Sequence, residues 1–476
     1  MKILLRISGL FFIIAALFSC GNEGRKLVEK PNVLFIAVDD LNDWIEPLGG
    51  HPQVITPSLS RLAEEGVCFS QAYCAGTACN PSRTALLTGK APYKTGMYVN
   101  MQVWRDVLGD VQTLPQYFTA NGYWSAGAGK IFHNSQPDPA SWEDYYPSKK
   151  QHMPKYYHPG NGVQVSMPVY DGLYTAFDWS PIPLSDEETA DCGSVDWVIE
   201  QLNREHEKPF FLACGIYRPH LPWYVPQKYF DMFPLDSIEL PLIIENDRDD
   251  LPPGALELNE GQRRYHNAVT KHGLWKDAIQ GYLASITYAD AMVGRLLDGL
   301  AASSYADNTI IVLWSDHGWA LGEKEHWRKY HIWENIANVV LMIKVPPGIK
   351  SLPGGSSAGI MCDRTVSLLD IYPTLIELCN LPPRDDMDGR SIVPLLEDPG
   401  KEWDYPAIIS SRRMDFGITK GKWRYLWYNN NGGEELYDLE SDPHEWYNLA
   451  GNPEYKNILE EMAKFLPKDP HPIVPW

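Results

Sequence analysis

The chain has 476 residues, of which 44% are hydrophobic, and a formal net charge of −20 at pH 7. Phosphate backbones and acidic lipid surfaces repel such a chain, so the charge argues against nucleic acid or an acidic membrane as the main partner. The length allows one large and one small domain around an extensive apolar core.

The N-terminus has the pattern of an export signal. Lys2 and Arg6 precede an apolar run over residues 10–17, which is too short to cross a membrane as a helix. Residues 17–20 read Leu-Phe-Ser-Cys and resemble a bacterial lipobox, whose cysteine is lipidated and becomes the mature N-terminus. We expect a lipoprotein signal peptide over residues 1–20 and a periplasmic or outer-membrane lipoprotein of a Gram-negative bacterium, held to the membrane only through Cys20. A plain signal peptidase site is the alternative.

Four continuous apolar runs, at residues 32–38, 123–128, 210–216 and 309–314, predict strands covered on both faces, as in a mainly parallel sheet. Ligands of α/β sheets gather beyond the carboxyl ends of such strands. Each run leads into polar residues, which are, in chain order, Asp39, Asp40, Lys130, His133, His220, Asp316 and His317.

Helices are predicted between the strands. Thr56 is expected to cap a helix that begins at Pro57 and stops at Gly66, and residues 279–300 carry one apolar stripe. The alternation of strands and helices predicts an α/β architecture. Residues 134–185 and 234–272 look irregular, and we interpret them as walls of a pocket.

Residues 79–89 predict a helix with Cys79 at its N-terminus, Pro81 at its first position and Gly89 as its stop. Unpaired N–H groups and the positive end of the helix dipole attract anions there, and would lower the pKa of a thiol. A thiol nucleophile, a redox cysteine and a small buried cysteine all fit these residues.

Asp39, Asp40 and Asp316 are expected to form an anionic cluster at neighbouring strand ends, which cannot stay desolvated without a cation. A divalent metal ion is the natural partner. For Asp39 and Asp40, the alternative is a surface carboxylate pair.

The end of the chain predicts a second, smaller unit. Residues 422–428 and 435–439 alternate around an Asn- and Gly-rich turn in the manner of a β-hairpin, and residues 381–385 suggest a turn out of the main domain. We expect a main α/β domain over residues 31–395 and a subdomain over residues 396–476. Some of the remaining cysteines could pair after export, but no spacing decides a connectivity, and Cys214 and Cys379 are predicted to be buried thiols.

Residues 79–83 read Cys-Asn-Pro-Ser-Arg and match the Cys-x-Pro-Ser-Arg core of sulfatases, and residues 84–90 resemble the second half of that signature. Gly-Lys-Ile-Phe-His at 129–133 and Ser-Asp-His-Gly at 315–318 resemble the iduronate-2-sulfatase branch. The resemblance extends from Pro31 to near Leu449. It implies an alkaline-phosphatase/sulfatase-like α/β fold, with a large, mainly parallel mixed sheet flanked by helices and a smaller C-terminal antiparallel sheet subdomain.

The resemblance also implies site residues and cofactors. A formylglycine-generating enzyme would oxidise Cys79 to formylglycine, the nucleophile. The implied calcium ligands are Asp39, Asp40, Cys79, Asp316 and His317. The implied catalytic residues are Cys79, Arg83, Lys130, His133, His220 and Lys329.

Each implied catalytic residue has a role in the family pattern. Arg83 would orient the nucleophile, Lys130 and Lys329 would bind sulfate, His133 would bind the hydrated aldehyde, and His220 would protonate the leaving oxygen. Because calcium prefers oxygen ligands, a hydrogen bond from His317 to the nucleophile or to sulfate is the alternative to metal binding.

The resemblance implies hydrolysis of sulfate esters on sulfated oligosaccharides, with exo-acting 2-O-desulfation of uronic acid in glycosaminoglycan fragments as the specific expectation. Alternatives are another carbohydrate sulfate ester, a phosphatase or phosphonate monoester hydrolase of the same superfamily, and a glycan-binding lipoprotein without turnover. Candidate sugar contacts, with structural or surface placement as the alternative, are Trp104, Arg105, Arg218, Trp327 and Arg328.

Overall fold

The computed structural model describes residues 27–153, 173, 176–412 and 414–476. The strands in chain order are β1 Asn32–Val38, β2 Val67–Phe69, β3 Ala72–Tyr73, β4 Trp124–Gly129, β5 Asp144–Tyr146, β6 Trp179–Ile182, β7 Phe210–Ile216, β8 Trp223–Pro226, β9 Thr309–Ser315, β10 Ala320–Leu321, β11 Trp327–Arg328, β12 Leu341–Lys344, β13 Ile360–Cys362, β14 Val366–Ser367, β15 Ala407–Ser410, β16 Phe416–Lys420, β17 Trp423–Tyr428 and β18 Gly433–Asp438. The helices are α1 Pro57–Glu65, α2 Cys79–Thr88, α3 Pro92–Thr95, α4 Trp104–Leu108, α5 Leu114–Ala120, α6 Ala190–Leu202, α7 Gln227–Phe230, α8 Pro253–Lys271, α9 Trp275–Ala302, α10 Glu334–Ala337, α11 Ile371–Leu378, α12 Val393–Glu397 and α13 Lys456–Ala463.

An eight-stranded sheet forms the centre of the fold, in the order β13-β2-β12-β9-β1-β7-β4-β5. β1 pairs in parallel with β9 and β7, and β7 pairs in parallel with β4. β12 runs antiparallel to both of its neighbours, so the sheet is mixed and mainly parallel, as predicted. Because Val38 of β1 pairs with both Ile216 and Ser315, three strands end at one level and the residues after them meet at one edge.

Helices cover both faces of this sheet, which explains why its central strands are continuous apolar runs. Odd-numbered residues of β1 lie in a core with residues of α2, α5 and α11. Even-numbered residues of β1 lie in a second core with residues of α6 and α9. The predicted α/β class is confirmed, as are the four predicted strands, which form β1, β4, β7 and β9.

The prediction of irregular structure is wrong for the second half of residues 234–272, which forms the 19-residue helix α8. Leu258, Tyr265 and Val269 are buried at helical spacing, so the segment did carry an amphipathic signal. In the other segment predicted to be irregular, residues 134–185, β5 and β6 form, and β5 is an edge strand of the main sheet.

The helix predicted after Thr56 is confirmed as α1, but its cap is different. The Thr56 hydroxyl accepts a hydrogen bond from the Glu46 N–H at 2.8 Å and does not cap the helix. Asp290 of α9 accepts the first-turn N–H groups of Ser58 at 3.1 Å and Leu59 at 2.8 Å. A partner from a distant helix therefore takes the place of the local cap.

The C-terminal region contains a four-stranded antiparallel sheet in the order β15-β16-β17-β18. The predicted hairpin is confirmed as β17 and β18, while the domain boundary at residue 395 stays a prediction. The predicted signal peptide and Cys20 lie outside the described residues. Within the described ranges, no helix is both long and apolar enough to cross a membrane. The seven described cysteines are free and buried, as predicted for Cys214 and Cys379.

Candidate active site

Polar residues from several strand ends meet α2 at the carboxyl edge of the main sheet. The predicted residues that contact Cys79 or one another there are Asp39, Asp40, Arg83, Lys130, His220, Asp316, His317 and Lys329. His133 is not in this group of contacting residues. It is half-buried, and its Nδ1 lies 2.7 Å from Ser135 Oγ.

Cys79 is the first residue of α2, and its thiol is buried among charged groups. Its Sγ lies 2.9 Å from Lys329 Nζ, 3.3 Å from His317 Nε2, 3.7 Å from Lys130 Nζ and 4.0 Å from Asp40 Oδ1. Burial raises the pKa of the thiol to about 12, although the two ammonium groups act in the opposite direction. The expectation of a lowered thiol pKa is therefore wrong, because desolvation outweighs the nearby positive charge.

The N-terminus of α2 also differs from the anion site expected there. Pro81 is the third residue of the helix, not the first. The Asn80 N–H donates to Asn100 Oδ1 at 2.9 Å, and the Ser82 N–H donates to the Ala78 carbonyl at 3.1 Å. Because these two donors are satisfied inside the protein, an anion beside the thiol would depend on the lysine side chains rather than on them.

Arg83 connects α2 to three strand ends. Its guanidinium donates to Asp316 Oδ2 at 2.8 Å and to Asp39 Oδ1 at 2.9 Å. It also donates to the carbonyl oxygens of Lys130 at 2.6 Å and Ile131 at 2.9 Å. Burial disfavours the charge, but the two carboxylates outweigh burial and raise the pKa of Arg83. The fixed fork of the guanidinium therefore sets the geometry of both acids.

The pKa values of the two acids bound to Arg83 are shifted in opposite directions. Asp39 also accepts from Lys130 Nζ, yet burial raises the pKa of Asp39 to about 7. Burial acts in the same direction on Asp316, but Arg83 and His317 outweigh it and hold the pKa of Asp316 well below its usual range. Neighbouring carboxyl groups shifted in opposite directions are typical of functional sites.

Asp40, Cys79, Asp316 and His317 bring ligand atoms within 4.8 Å of one another, close enough to share one metal ion. Asp40 Oδ2 is buried and has no hydrogen-bond partner among the described residues. His317 Nδ1 lies 3.0 Å from the Gly318 carbonyl, which can only accept, so this nitrogen is assigned the proton.

The other nitrogen of His317, Nε2, then presents its lone pair 3.3 Å from Asp40 Oδ1 and 3.6 Å from Asp316 Oδ2. The ammonium of Lys329 is the cation beside this lone pair in the structure, with Nζ 3.3 Å from Nε2. The cluster of ligand atoms and the orphaned oxygen of Asp40 fit a divalent metal ion.

Lys329 reaches the site from a loop with an unusual backbone. Its neighbours Arg328 and Tyr330 have φ angles of 74° and 82°, in the left-handed region. Each such residue costs about 1–3 kcal/mol, so surrounding contacts must hold the loop. The His326 ring lies 3.1 Å from the Lys329 carbonyl, and Arg328 donates to Tyr265 Oη at 2.6 Å. Held in this way, Lys329 Nζ donates to Asp40 Oδ1 at 2.8 Å.

His220 lies in the loop after β7. Its Nδ1 lies 2.6 Å from the Leu221 carbonyl, and its Nε2 lies 3.7 Å from Asp40 Oδ2. Burial, and then the charges of Lys130 and Lys329, lower the pKa of His220 well below its usual value. The carbonyl assigns a proton to Nδ1, which leaves Nε2 to face the site.

Sequence reasoning missed two residues that support the acids. Tyr282 of α9 donates from its hydroxyl to the Asp40 carbonyl at 2.8 Å and accepts from the Asn42 N–H at 3.1 Å. Ser82 donates from Oγ to the Asp316 carbonyl at 2.5 Å. Tyr282 lies within the segment predicted to be an amphipathic helix, so a hydroxyl among its apolar residues was the signal available.

Four of the five candidate sugar contacts are either buried or bound to groups of the protein itself. Trp104 is 1% exposed and Trp327 is 0% exposed, which leaves neither ring free to stack on a sugar. Arg105 pairs with Asp138, and Arg218 donates to the carbonyl groups of His220 and of Tyr224 in β8. For these four residues the structure supports the structural alternative.

Comparisons with known proteins match most of this chain. The family model described as sulfatase matches residues 31–381, and the model described as N-sulphoglucosamine sulphohydrolase, C-terminal, matches residues 322–470. A sulfatase of Formosa agariphila is 39% identical over 95% of this chain and 90% of its own length. Iduronate 2-sulfatase of Mus musculus is 31% identical over 92% of this chain and 94% of its own length.

A solved structure of a 2-O GAG sulfatase has a similar fold. It superimposes with a TM-score of 0.70 at 22% identity, and covers 92% of this chain and 91% of its own. This likeness confirms the predicted fold.

Proposed function

Since the chain belongs to the sulfatase family and is a sulfuric ester hydrolase, we propose that it removes the 2-O-sulfate of uronic acid residues at the nonreducing ends of glycosaminoglycan fragments. The observation that carries the proposal is the buried Cys79, which lies between two ammonium groups at the acid cluster. The name of the iduronate 2-sulfatase relative supports the uronate specificity.

We propose formylglycine, formed by oxidation of Cys79, as the nucleophile. When hydrated, this group supplies one hydroxyl that attacks sulfur and a second whose deprotonation later expels sulfate. The Nζ atoms of Lys329 and Lys130 lie 2.9 Å and 3.7 Å from Cys79 Sγ. In this proposal they donate to the nonbridging oxygens of the bound sulfate. Arg83 orients the acids around the nucleophile. The role proposed for His133 is to bind the hydrated aldehyde through Nε2, because its Nδ1 lies 2.7 Å from Ser135 Oγ.

His220 has the role of proton donor in this proposal. A sugar alkoxide is a poor leaving group, so its oxygen must gain a proton as the S–O bond breaks. Because Nδ1 is directed to the Leu221 carbonyl, Nε2 is the nitrogen that transfers the proton.

The cation proposed for the acid cluster is Ca²⁺. Asp40, Asp316, His317 and the group derived from Cys79 would hold it from one cluster of ligand atoms, and Asp39, which clusters with Asp40 and His220, is the fifth proposed ligand. When bound, it supplies positive charge that acidifies the nucleophile and stabilises the sulfate oxygens. Carboxylate oxygens are the ligands that calcium prefers, which supports this choice of ion.

The remaining proposals concern address and maturation. We propose that the protein is exported, lipidated at Cys20 and matured by a formylglycine-generating enzyme. The lipobox-like Leu-Phe-Ser-Cys and the Cys-Asn-Pro-Ser-Arg segment support these two steps.

The test combines mass analysis of the peptide containing Cys79 with desulfation of defined uronate-2-sulfate disaccharides. We expect an aldehyde at residue 79 in active protein, release of sulfate from the nonreducing end, and no activity for Cys79→Ala. The matched control is Cys74→Ala, which removes another buried thiol and should stay active. An intact thiol in fully active protein would refute the mechanism.

The substrate class is tested separately. Turnover of 4-nitrophenyl phosphate in preference to 4-nitrophenyl sulfate would favour the phosphatase or phosphonate monoester hydrolase alternative. Release of sulfate only from hexose or other glycan sulfates would refute the uronate specificity and keep the sulfatase activity.

A further inference from the structure

A buried acid outside the site holds the loop that carries His220. Asp191 lies in the first turn of α6 and is 6% exposed. Its Oδ1 accepts from the Tyr217 N–H at 2.7 Å, and its Oδ2 accepts from the Arg218 N–H at 3.1 Å. One carboxylate therefore clamps two consecutive peptide groups where the chain leaves β7.

The clamped residues contact His220 directly. The Tyr217 ring lies 4.6 Å from the His220 ring between centroids, and its hydroxyl donates to the Leu221 carbonyl at 3.1 Å. Arg218 Nη1 donates to the His220 carbonyl at 3.1 Å. A displacement of these two peptide groups would therefore move the His220 ring.

The carboxylate suits this role better than a neutral side chain does. Burial raises the pKa of Asp191, while Arg218 and the two N–H groups act against burial. An asparagine side chain has only one acceptor oxygen, so its NH₂ group would face one of the two peptide N–H groups, donor against donor. A buried N–H left without an acceptor costs about 1–3 kcal/mol. The loop can avoid this cost by moving away from residue 191.

We propose that Asp191 is a positioning residue that holds His220 Nε2 where it protonates the leaving oxygen. The proposal rests on the proposed function. The step starts from His220 protonated on both nitrogens, with the Nε2 proton taken up from solvent before the sugar leaves. The S–O bond then breaks, its electron pair goes to the sugar oxygen, that oxygen takes the proton from Nε2, and His220 returns to the neutral Nδ1–H imidazole that burial favours.

The test is Asp191→Asn, measured on two substrates with different needs for a proton. The leaving group of a uronate-2-sulfate disaccharide is a sugar alcohol, whose oxygen needs the proton. The leaving group of 4-nitrophenyl sulfate is a stable phenolate, which does not need it. We expect kcat for the disaccharide to fall about 10- to 100-fold with little change in KM, because a small misplacement of a catalytic group has this effect. On the aryl sulfate, kcat should change by less than about threefold.

The matched control is Asp196→Asn, the same substitution on the same helix. Asp196 is 40% exposed and pairs with Arg295 at 2.6 Å, so this variant should keep wild-type kcat on both substrates. His220→Ala provides the second control. In the His220→Ala background, Asp191→Asn should cost nothing further on the disaccharide, because the group that it positions is absent.

Several outcomes would overturn the proposal. Equal losses of kcat on both substrates, or an undiminished loss in the His220→Ala background, would show that Asp191 serves the fold alone.

Asp191→Glu keeps both acceptor oxygens. It should give a smaller loss of kcat than Asp191→Asn, again on the disaccharide and not on the aryl sulfate. Failure of both Asp191 variants to fold would likewise assign the residue to the fold. A wild type inactive on both sulfates would refute the proposed function instead.

Discussion

The four hydrogen bonds of Arg83 lead to the strongest stability prediction. Arg83→Lys keeps the positive charge, but a single ammonium cannot reach two carboxylates and two carbonyl oxygens on three strand ends. Breaking a buried ion pair on one side costs about 3–5 kcal/mol, and each buried acceptor left without a donor adds to this cost. We expect the free energy of unfolding to fall by about 3–5 kcal/mol, a large share of the 5–15 kcal/mol typical of folded proteins.

Urea unfolding followed by circular dichroism measures this loss, provided that the slope against urea stays constant. The control is Arg61→Lys, whose pair with Asp298 is exposed on both sides and should change stability by less than about 1 kcal/mol. A free energy for Arg83→Lys within about 1 kcal/mol of wild type would refute the reasoning, because the guanidinium would then not hold the strand ends.

Three further predictions concern metal, pH and backbone. Chelation should lower both activity and the unfolding midpoint, and Ca²⁺ should restore them, because a ligand at 100-fold its Kd stabilises by about 2.7 kcal/mol; an unchanged midpoint would contradict a metal site. Burial lowers the pKa of His152 from 6.5 to about 4, so the unfolded chain binds more protons in this window and stability falls as pH falls. Relative to His152→Phe, wild type should lose about 2 kcal/mol between about pH 7 and about pH 4.5, and parallel pH profiles would refute this. Gly89→Ala should destabilise by about 1–2 kcal/mol, since φ is 71° and the added Cβ lies 3.1 Å from Met387 Cγ, whereas Gly354→Ala, in open space, should not.

The positions of the central strands and of the acids were readable from the sequence. Strands buried on both faces must be continuous apolar runs, and the polar residues that follow mark where each strand ends. The sequence therefore places Asp39 and Asp316 at the ends of two strands, which the structure shows to be neighbours. The segment around Cys79 indicated the family, because its order of residue types is specific.

Other properties depend on atoms brought together from distant parts of the chain. The cap of α1 comes from Asp290, more than two hundred residues away, and no local pattern shows it. The thiol of Cys79 has a raised pKa because its helix is buried, although the local sequence suggested a lowered one.

The sequence by itself determined which residues end the strands, which helix carries the thiol and which family the chain resembles, because these follow from local order and periodicity. Only the tertiary structure decided that Asp191 holds the His220 loop, that the Lys329 loop is strained, and that the N–H groups of Asn80 and Ser82 are already bonded. Desolvation, charge acting through space and hydrogen bonds between distant segments are properties of the packed chain, and neighbouring residues in the sequence do not encode them.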